Sequence, residues 1–552
     1  MIRHELATLV EQAAQQAQAQ NLLPAVALPE STIEHPQNPE HGDYASTLPL
    51  KLARAARTNP MAIAEAISKL LPGHPAIDRI FVAPPGFINL TLKTEWLLQQ
   101  LGTIRQAGDA YGTVAAGNGA KVQIEFVSAN PTGPLHVGNG RGAVLGSTLA
   151  NILDAAGYQV TKEYYINDTG HQMEVFQRSL MARYLQALGR DAPFPEDGYG
   201  AAYLQELAGE IAGREGDRLA GEPLQEQQEA LGRLGVERML AAIQRDLRDL
   251  GVTYDEWFSE SSLYQDGVYL KAMELLEQGG YVAEKEGARW FVSTLLGEDK
   301  DNVLVRSNGL PTYFASDAAY HYNKFVERGF DRVINIWGAD HQGHVSRVKA
   351  VVSALGADPD RLTVIITQMV TLRRGAEIVR LSKRSGDIIS LRDVVDEVGA
   401  DACRFFFLAR SADSQMDFDL ELAKRQSSEN PVYYVQYAHA RIASVLRLAQ
   451  ERGIDWSAGD VALLGHEAEL ALIRKMLLLP ELVEVAAQTL APHTLPHYAQ
   501  DLATAFHNFY EQCRIVSDDA ALTAARLTLV EAAKITLART LALMGMSAPE
   551  HM

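Results

Sequence analysis

The chain has 552 residues, more than one hydrophobic core organises, and 47% of them are apolar, so about two to four globular domains are expected. A formal charge of −19 argues against binding nucleic acid through overall charge and leaves that task to local basic clusters. Two distant cysteines, Cys403 and Cys513, exclude a disulfide framework and an all-thiolate zinc site, so a reducing, cytoplasmic setting is expected.

Met1–Gln20 reads as an amphipathic helix without the apolar centre of a signal peptide. No stretch reaches the roughly 20 apolar residues of a membrane span, so no membrane partner is expected. Residues 1–115 mix helical patterns such as Pro60–Leu71 with short apolar runs such as Phe81–Ala83, and Gly108–Gly119 looks like a linker. Lys121–Val127 alternates as a strand and ends in a turn-forming Ser-Ala-Asn-Pro-Thr-Gly-Pro. Val144, Leu145, Thr148, Leu149, Ile152, Leu153 and Ala156 then mark a helix stopped by Gly157, and Tyr158–Ile166 is a second strand. Strand, helix, strand implies a parallel sheet.

Residues 170–290 read as an insertion, with one apolar helix face through Val236, Met239, Leu240, Ile243, Leu247 and Leu250. A hairpin is expected where Val303–Arg306 and Thr312–Ala315 flank Asn308-Gly309. A strand at Asp331–Trp337, a helix at His341–Leu355 and a strand at Leu362–Val370 follow. A hairpin through Arg373-Arg374-Gly375 then leads to Arg380–Gly386, and the chain looks wholly helical from about Asp413. The expected fold is α/β. A Rossmann-like parallel-sheet catalytic domain (116–412) sits between an α/β N-terminal domain (1–115) and an all-α C-terminal domain (413–552).

Gly138, Gly140 and Ala143 match a dinucleotide fingerprint, and Glu163 stands where a ribose-binding acid would. Against that reading, nine residues, Ser128–His136, separate strand from fingerprint, and the loop carries a histidine with no task in hydride transfer. A P-loop is absent. The alternative places His136 and Asn139 on one face of an opening helix, where free N–H groups suit phosphates, and lets Gly138 and Gly140 bring backbone close to a ligand. A plain helix-capping histidine fits the spacing equally well. Leu381–Gly386 is a basic loop in an acidic chain, either a solvated face or a lysine loop for a departing pyrophosphate.

Together these motifs carry a resemblance. Ser128–Asn139 resembles the "HIGH" signature of class I aminoacyl-tRNA synthetases, and Arg380–Arg384 resembles their "KMSKS" signature. The wider segments Glu125–Gly142, Tyr313–Asp317, Gly338–His341 and Ser382–Phe407, with His41–Tyr44 and the helical tail, are similar to the bacterial-type arginyl-tRNA synthetases. Three positions depart from the signatures: Asn139 replaces the second histidine, Arg380 the first lysine and Arg384 the last serine. Asn139 keeps a donor but carries no charge.

The resemblance implies activation of L-arginine by ATP and transfer to the 3′ end of tRNA(Arg). It implies His136, Ser382 and Lys383 as catalytic residues, and His136, Gly138, Asn139, Gly338, Asp340 and Lys383 as the ATP site. It further implies Glu125, Ser128, Asn130, Tyr313 and Asp317 as the arginine pocket, and Tyr44, Tyr437 and Arg441 as tRNA contacts. Asp317 also reads as a first-turn helix acid, Asp340 as a helix cap, and the Tyr437 face as helix core. ATP is expected to bring its own Mg²⁺. His341 and His344 lack a further ligand, so no protein-bound metal is expected. The remaining expectation is a monomer. The rival readings are a dinucleotide oxidoreductase, a non-catalytic tRNA-binding paralogue and a class I enzyme for another amino acid.

Overall fold

The computed structural model describes residues 1–221, 223–379 and 389–552. Its N-terminal region is a four-stranded antiparallel sheet of β1 (Ile33–Glu34), β2 (Tyr44–Ser46), β3 (Ile77–Ala83) and β4 (Phe87–Leu92), in the order β1-β2-β4-β3. The helix Ile2–Ala19 buries Leu6, Val10, Ala13, Ala14 and Ala17 on one face against it. The glycine-rich stretch after it is packed rather than free. Tyr111 is buried and donates from its hydroxyl to the Met476 carbonyl at 3.0 Å, and a side chain at Gly117 would run into the Tyr158 ring.

The central sheet is parallel throughout. Its strands are β5 (Lys121–Phe126), β6 (Gln159–Ile166), β7 (Glu256–Ser259), β11 (Arg332–Gly338) and β12 (Leu362–Thr367), in the order β12-β11-β5-β6-β7. From β5 the chain first builds outward to β6 and β7, then returns to the other side of β5 for β11 and β12. The order therefore reverses between β5 and β11, and the crevice beyond their C-terminal ends is where ligands of such sheets bind. The helix Val137–Ala155 crosses from β5 to β6 and is almost wholly buried.

Several sequence expectations change here. The inserted region rejoins the main sheet at β7, well before residue 290. Between β7 and β11 a separate antiparallel sheet forms from β8 (Val282–Lys285), β9 (Ala288–Phe291) and β10 (Asn302–Val305). Thr312–Ala315 is no strand. Pro311 has no N–H to extend the ladder, pairing stops at one bridge between Val305 and Pro311, and a helix starts at Tyr313. The expected strand Leu362–Val370 splits at Gln368, whose N–H donates to Ala412 O at 3.0 Å. Beyond the split, β13 (Val370–Arg374) joins a second sheet with β14 (Glu377–Ile378) and β15 (Met416–Asp419). That last strand interrupts the region expected to be all helical, which is helical only from Leu420.

Four long helices, Pro431–Glu451, Glu467–Thr489, Thr494–Gln512 and Ala520–Leu543, form the C-terminal domain. Arg404, fully buried, fastens it to the rest. It donates to Met544 O at 2.6 Å, Leu250 O at 3.1 Å and the Ser147 hydroxyl at 2.9 Å, so one guanidinium ties the tail, the end of the insertion and the crossover helix together.

Candidate active site

At the end of β5 two consecutive side-chain-bearing residues, Val127 (φ 71°) and Ser128 (φ 42°), adopt left-handed backbone. For a β-branched valine this is costly, about 1–3 kcal/mol, and such strain persists where surrounding contacts hold it. Here the Ser128 hydroxyl donates to Glu125 Oε1 at 2.9 Å and accepts from Tyr165 N–H at 3.2 Å. Farther along, Tyr164 and Tyr203 hydroxyls donate to Ala129 O at 2.8 Å and Thr132 O at 2.5 Å. Leu391 N–H donates to Leu135 O at 2.7 Å, and His136 bridges Ser390, so the loop is held from both flanks.

His136 is the N-cap of the crossover helix. Its Nδ1 accepts from Gly138 N–H at 3.1 Å, and Asn139 Oδ1 accepts from His136 N–H at 3.0 Å, which closes a capping box. The capping geometry and a phosphate role are compatible. An Nδ1 that accepts carries no proton, so the neutral ring keeps its proton on Nε2, which has no hydrogen-bond partner among the described residues. Burial lowers the His136 pKa, against an opposing pull from Asp340, and so favours that neutral ring. Gly138 has no side chain to meet the His136 ring, which would lie 3.0 Å from a Cβ there. Gly140 serves packing instead of ligand approach, since a Cβ would lie 2.5 Å from Leu391 Cδ1.

Gly338 ends β11, across the switch point from His136, and occupies the cap position of the turn Ala339–His344. Asp340 is therefore not the cap. Its side chain is 81% exposed, and among the described residues its one ion pair is with His341 at 3.5 Å. Among the described residues no group of three or more His, Cys, Asp or Glu could hold a metal ion.

Deeper in the crevice the acids are buried. Glu125 Oε2 accepts from Lys324 Nζ at 2.6 Å, and the fully buried Lys324 also donates to Asn335 Oδ1 at 3.0 Å and lies 3.9 Å over the Tyr320 ring. Glu163, equally buried, accepts from Gln123 Nε2 at 2.8 Å and from the Tyr320 hydroxyl, and pairs with Arg328 at 2.5 Å. Sealed in this way, Glu163 has no access to a ribose, which removes the acid that the dinucleotide reading needs.

Asp317 sits in the middle of the helix Tyr313–Tyr322, past its first turn. Its pKa is pushed up to about 7, by burial first and then by the charges of Glu125 and Glu260, with Lys324 opposing. Glu260, at the C-terminal end of β7, is 2% exposed, and burial raises its pKa too. Asp317 and Glu260 have no ion-pair partner among the described residues, whereas Glu125 and Glu163 each have one.

The structure thus groups Glu125, Ser128 and Asp317. Asn130 and Tyr313 lie at the rim: Asn130 donates to Gln172 Oε1, and the half-exposed Tyr313 covers Gly170. Sequence reasoning missed Glu260 and Lys324. Glu260 carries one usable signal, an acid directly after a parallel strand. Ser382 and Lys383, with Arg380 and Arg384, lie outside the described residues.

Of the tRNA expectations, Tyr44 requires correction. It is 3% exposed and donates from its hydroxyl to Glu481 Oε1 at 2.7 Å, against the His35 ring. It seals the N-terminal sheet onto the helical domain and offers no face to a base. Tyr437 and Arg441 share a half-buried face of the helix Pro431–Glu451. The Arg441 guanidinium lies 4.6 Å over Tyr437 and 4.8 Å over Tyr510, and Tyr433 stacks on Tyr437 at 5.8 Å.

Three family models match in tandem. The arginyl tRNA synthetase N terminal domain covers residues 4–92, the catalytic domain of tRNA synthetases class I (R) covers 101–413, and the DALR anticodon binding domain covers 435–552. Fold and site together define a class I aminoacyl-tRNA synthetase. An arginine–tRNA ligase of Dehalococcoides mccartyi is 60% identical over 543 residues, 98% of each chain, and one of Heliobacterium modesticaldum is 51% identical over 558 residues, 100% of this chain and 99% of that one. The Thermus thermophilus arginyl-tRNA synthetase structure matches with TM-score 0.80 at 26% identity over 100% of both chains. The chain belongs to the arginyl-tRNA synthetase family.

Proposed function

We propose the following division of labour for an arginine–tRNA ligase that consumes ATP. The observation that carries it is charge balance in the pocket. Glu125 is matched by Lys324 and Glu163 by Arg328, which leaves half-buried Asp317 and buried Glu260 as acids without a cation among the described residues. A guanidinium is always charged and has donors in a planar fork, so it supplies the missing cation to both. Ser128, Asn130 and Tyr313 border the same space and orient the amino acid.

In the first step the arginine carboxylate attacks the α-phosphorus of ATP. The bond to the bridging oxygen breaks, and pyrophosphate leaves with the Mg²⁺ that ATP brought. His136 Nε2–H and the Lys383 ammonium meet charge developing on the phosphate oxygens, with Ser382 beside them. Gly138 and the Asn139 amide line the helix N-terminus, while Gly338 and Asp340 face the adenosine, Asp340 accepting from a ribose hydroxyl. The described residues that flank the lysine loop suit this role: Val379 N–H donates to Leu372 O at 2.9 Å, and Ser390 bridges His136. In the second step a ribose hydroxyl of the tRNA terminus attacks the activated carbonyl, and AMP leaves.

In this reading residues 1–115 contact tRNA, residues 116–412 carry catalysis and residues 413–552 read the anticodon. Tyr437 and Arg441 offer stacking faces for unpaired bases. The enzyme works as a monomer in the cytoplasm, where its two buried free cysteines stay reduced. No helix among the described residues is long and apolar enough to cross a membrane.

The test is single-turnover adenylate formation by Lys383→Ala. Loss of one preorganised donor lowers the rate by about 10²–10³-fold, or ~2.7–4 kcal/mol. A drop below about threefold contradicts the assignment.

A further inference from the structure

We propose that an open cavity of about 470 Å³ between the parallel-sheet domain and the helical domain is a phosphodiester site that grips the tRNA backbone between anticodon and acceptor end. It rests on the tRNA-charging reading above. Ala409, Arg410, Ser411 and Ser414 form one wall, and His493 and His497 form the other. Arg410 is exposed and makes no side-chain hydrogen bond or ion pair among the described residues. His493 and His497 stand at the N-terminal end of the helix Thr494–Gln512, whose partial positive charge points at the cavity.

A second arginine lies under the first wall. Arg141, without any solvent exposure, donates to Ser411 O at 2.7 Å and Ser414 O at 2.8 Å, as well as to Gln368 O at 2.9 Å, and pairs with no carboxylate among the described residues. Among the described residues one acid opposes them: Asp413 accepts from the Ser411 hydroxyl at 2.6 Å. Two guanidinium charges and a helix N-terminus against one carboxylate make an anion-attracting hollow in a chain of charge −19, to which the two imidazoles add N–H donors.

Location selects the source of the anion. Arg141 lies on the helix that His136 caps, five residues on, so the cavity's first wall is braced by the helix that opens at the proposed adenylating site. Its far wall belongs to the domain matched by the anticodon-binding model. A tRNA engaged at both places crosses this junction. The hollow is open and wider than a lone phosphate fills, which suits a phosphate carried on a chain.

The test measures binding of tRNA(Arg) transcript to the full-length protein as a function of salt, for wild type, Arg410→Ala and Arg410→Lys. Each phosphate neutralised adds about 0.9 to the slope of log K against log salt. Arg410→Ala should flatten that slope by about 0.9 and weaken binding about fivefold near 0.15 M salt. A transcript with an altered anticodon should show the same fractional loss, Arg410→Lys should restore the slope, and thermal midpoints should not move. Unchanged Kd and slope in Arg410→Ala would overturn the proposal. So would a raised KM for ATP with tRNA binding intact, which assigns the cavity to a free polyphosphate. Failure of the wild type itself to bind tRNA would instead sink the tRNA-charging reading, and this site with it.

Discussion

The phosphate side of the crevice and its amino-acid side differ in where charge is kept. Around His136 the groups stand at the surface of a helix start, and Asp340 is open to water. The donor there is an uncharged imidazole whose tautomer is set by a backbone N–H. Around half-buried Asp317 the neighbouring acids Glu125, Glu163 and Glu260 are buried, and each acid is defined by whether a cation among the described residues already belongs to it. In the proposed division of labour, ATP arrives with Mg²⁺ and needs aimed donors, whereas arginine brings a cation and needs an unfilled hole. That proposed hole rests on Lys324 occupying Glu125 and on Asp317 and Glu260 having no cation among the described residues.

The largest effect expected from that contrast is on stability. Lys324→Met strands a buried Glu125 carboxylate, and breaking such a pair costs about 3–5 kcal/mol. Denaturant unfolding should register the loss, and adding Glu125→Gln should recover much of it. A loss under about 1 kcal/mol would mean that Glu125 has another partner and that the charge count above is wrong.

A smaller effect falls on substrate discrimination. Asp317→Ala removes a charge-assisted contact worth roughly 1.5–3 kcal/mol, so the arginine KM should rise roughly 10- to 150-fold with the ATP KM nearly fixed. Equal rises in both would remove Asp317 from the arginine pocket.

The smallest effect is on pH dependence. With its pKa near 7 in the free enzyme, Asp317 gains a proton as pH falls, and the protonated acid no longer attracts a guanidinium. The arginine KM should therefore be flat above about pH 8 and rise about tenfold from pH 8 to 6. Because Asp317 interacts with Glu125 and Glu260, the inflection belongs to the cluster. Asp317→Asn should abolish it, and an inflection surviving in that variant would place the titration elsewhere. The sign for stability is opposite to the usual carboxylate. Ionising Asp317 opposes folding, so its contribution declines as pH rises from about 4 toward 7.

The two sides also differ in how far they can be read from sequence. His136 is legible because its signal is local: a strand end, a turn and a helix start within one short segment. The pocket is assembled across the chain. Glu125 and Lys324 are 199 residues apart, and a lysine in a helical segment looks like any solvated lysine until the fold buries it. Tyr44 misleads for a related reason, since an aromatic that seals a domain contact has the same local sequence as one that stacks on a base.

In the fold, apolar periodicity reveals the parallel strands. It does not reveal that the run Leu362–Val370 changes sheets at Gln368, because both halves remain apolar. Nor does it reveal Met416–Asp419, four residues with two acids, which is a strand only through pairing with β13.

ATP–pyrophosphate exchange with each of the twenty amino acids, run with and without tRNA(Arg), bears most directly on the central claim that the unmatched acids select arginine. Arginine alone should support exchange in the presence of tRNA, and citrulline, which lacks the positive charge, should not compete. Exchange with another amino acid in arginine's place, or inhibition by citrulline comparable to that by an arginine analogue, would contradict it.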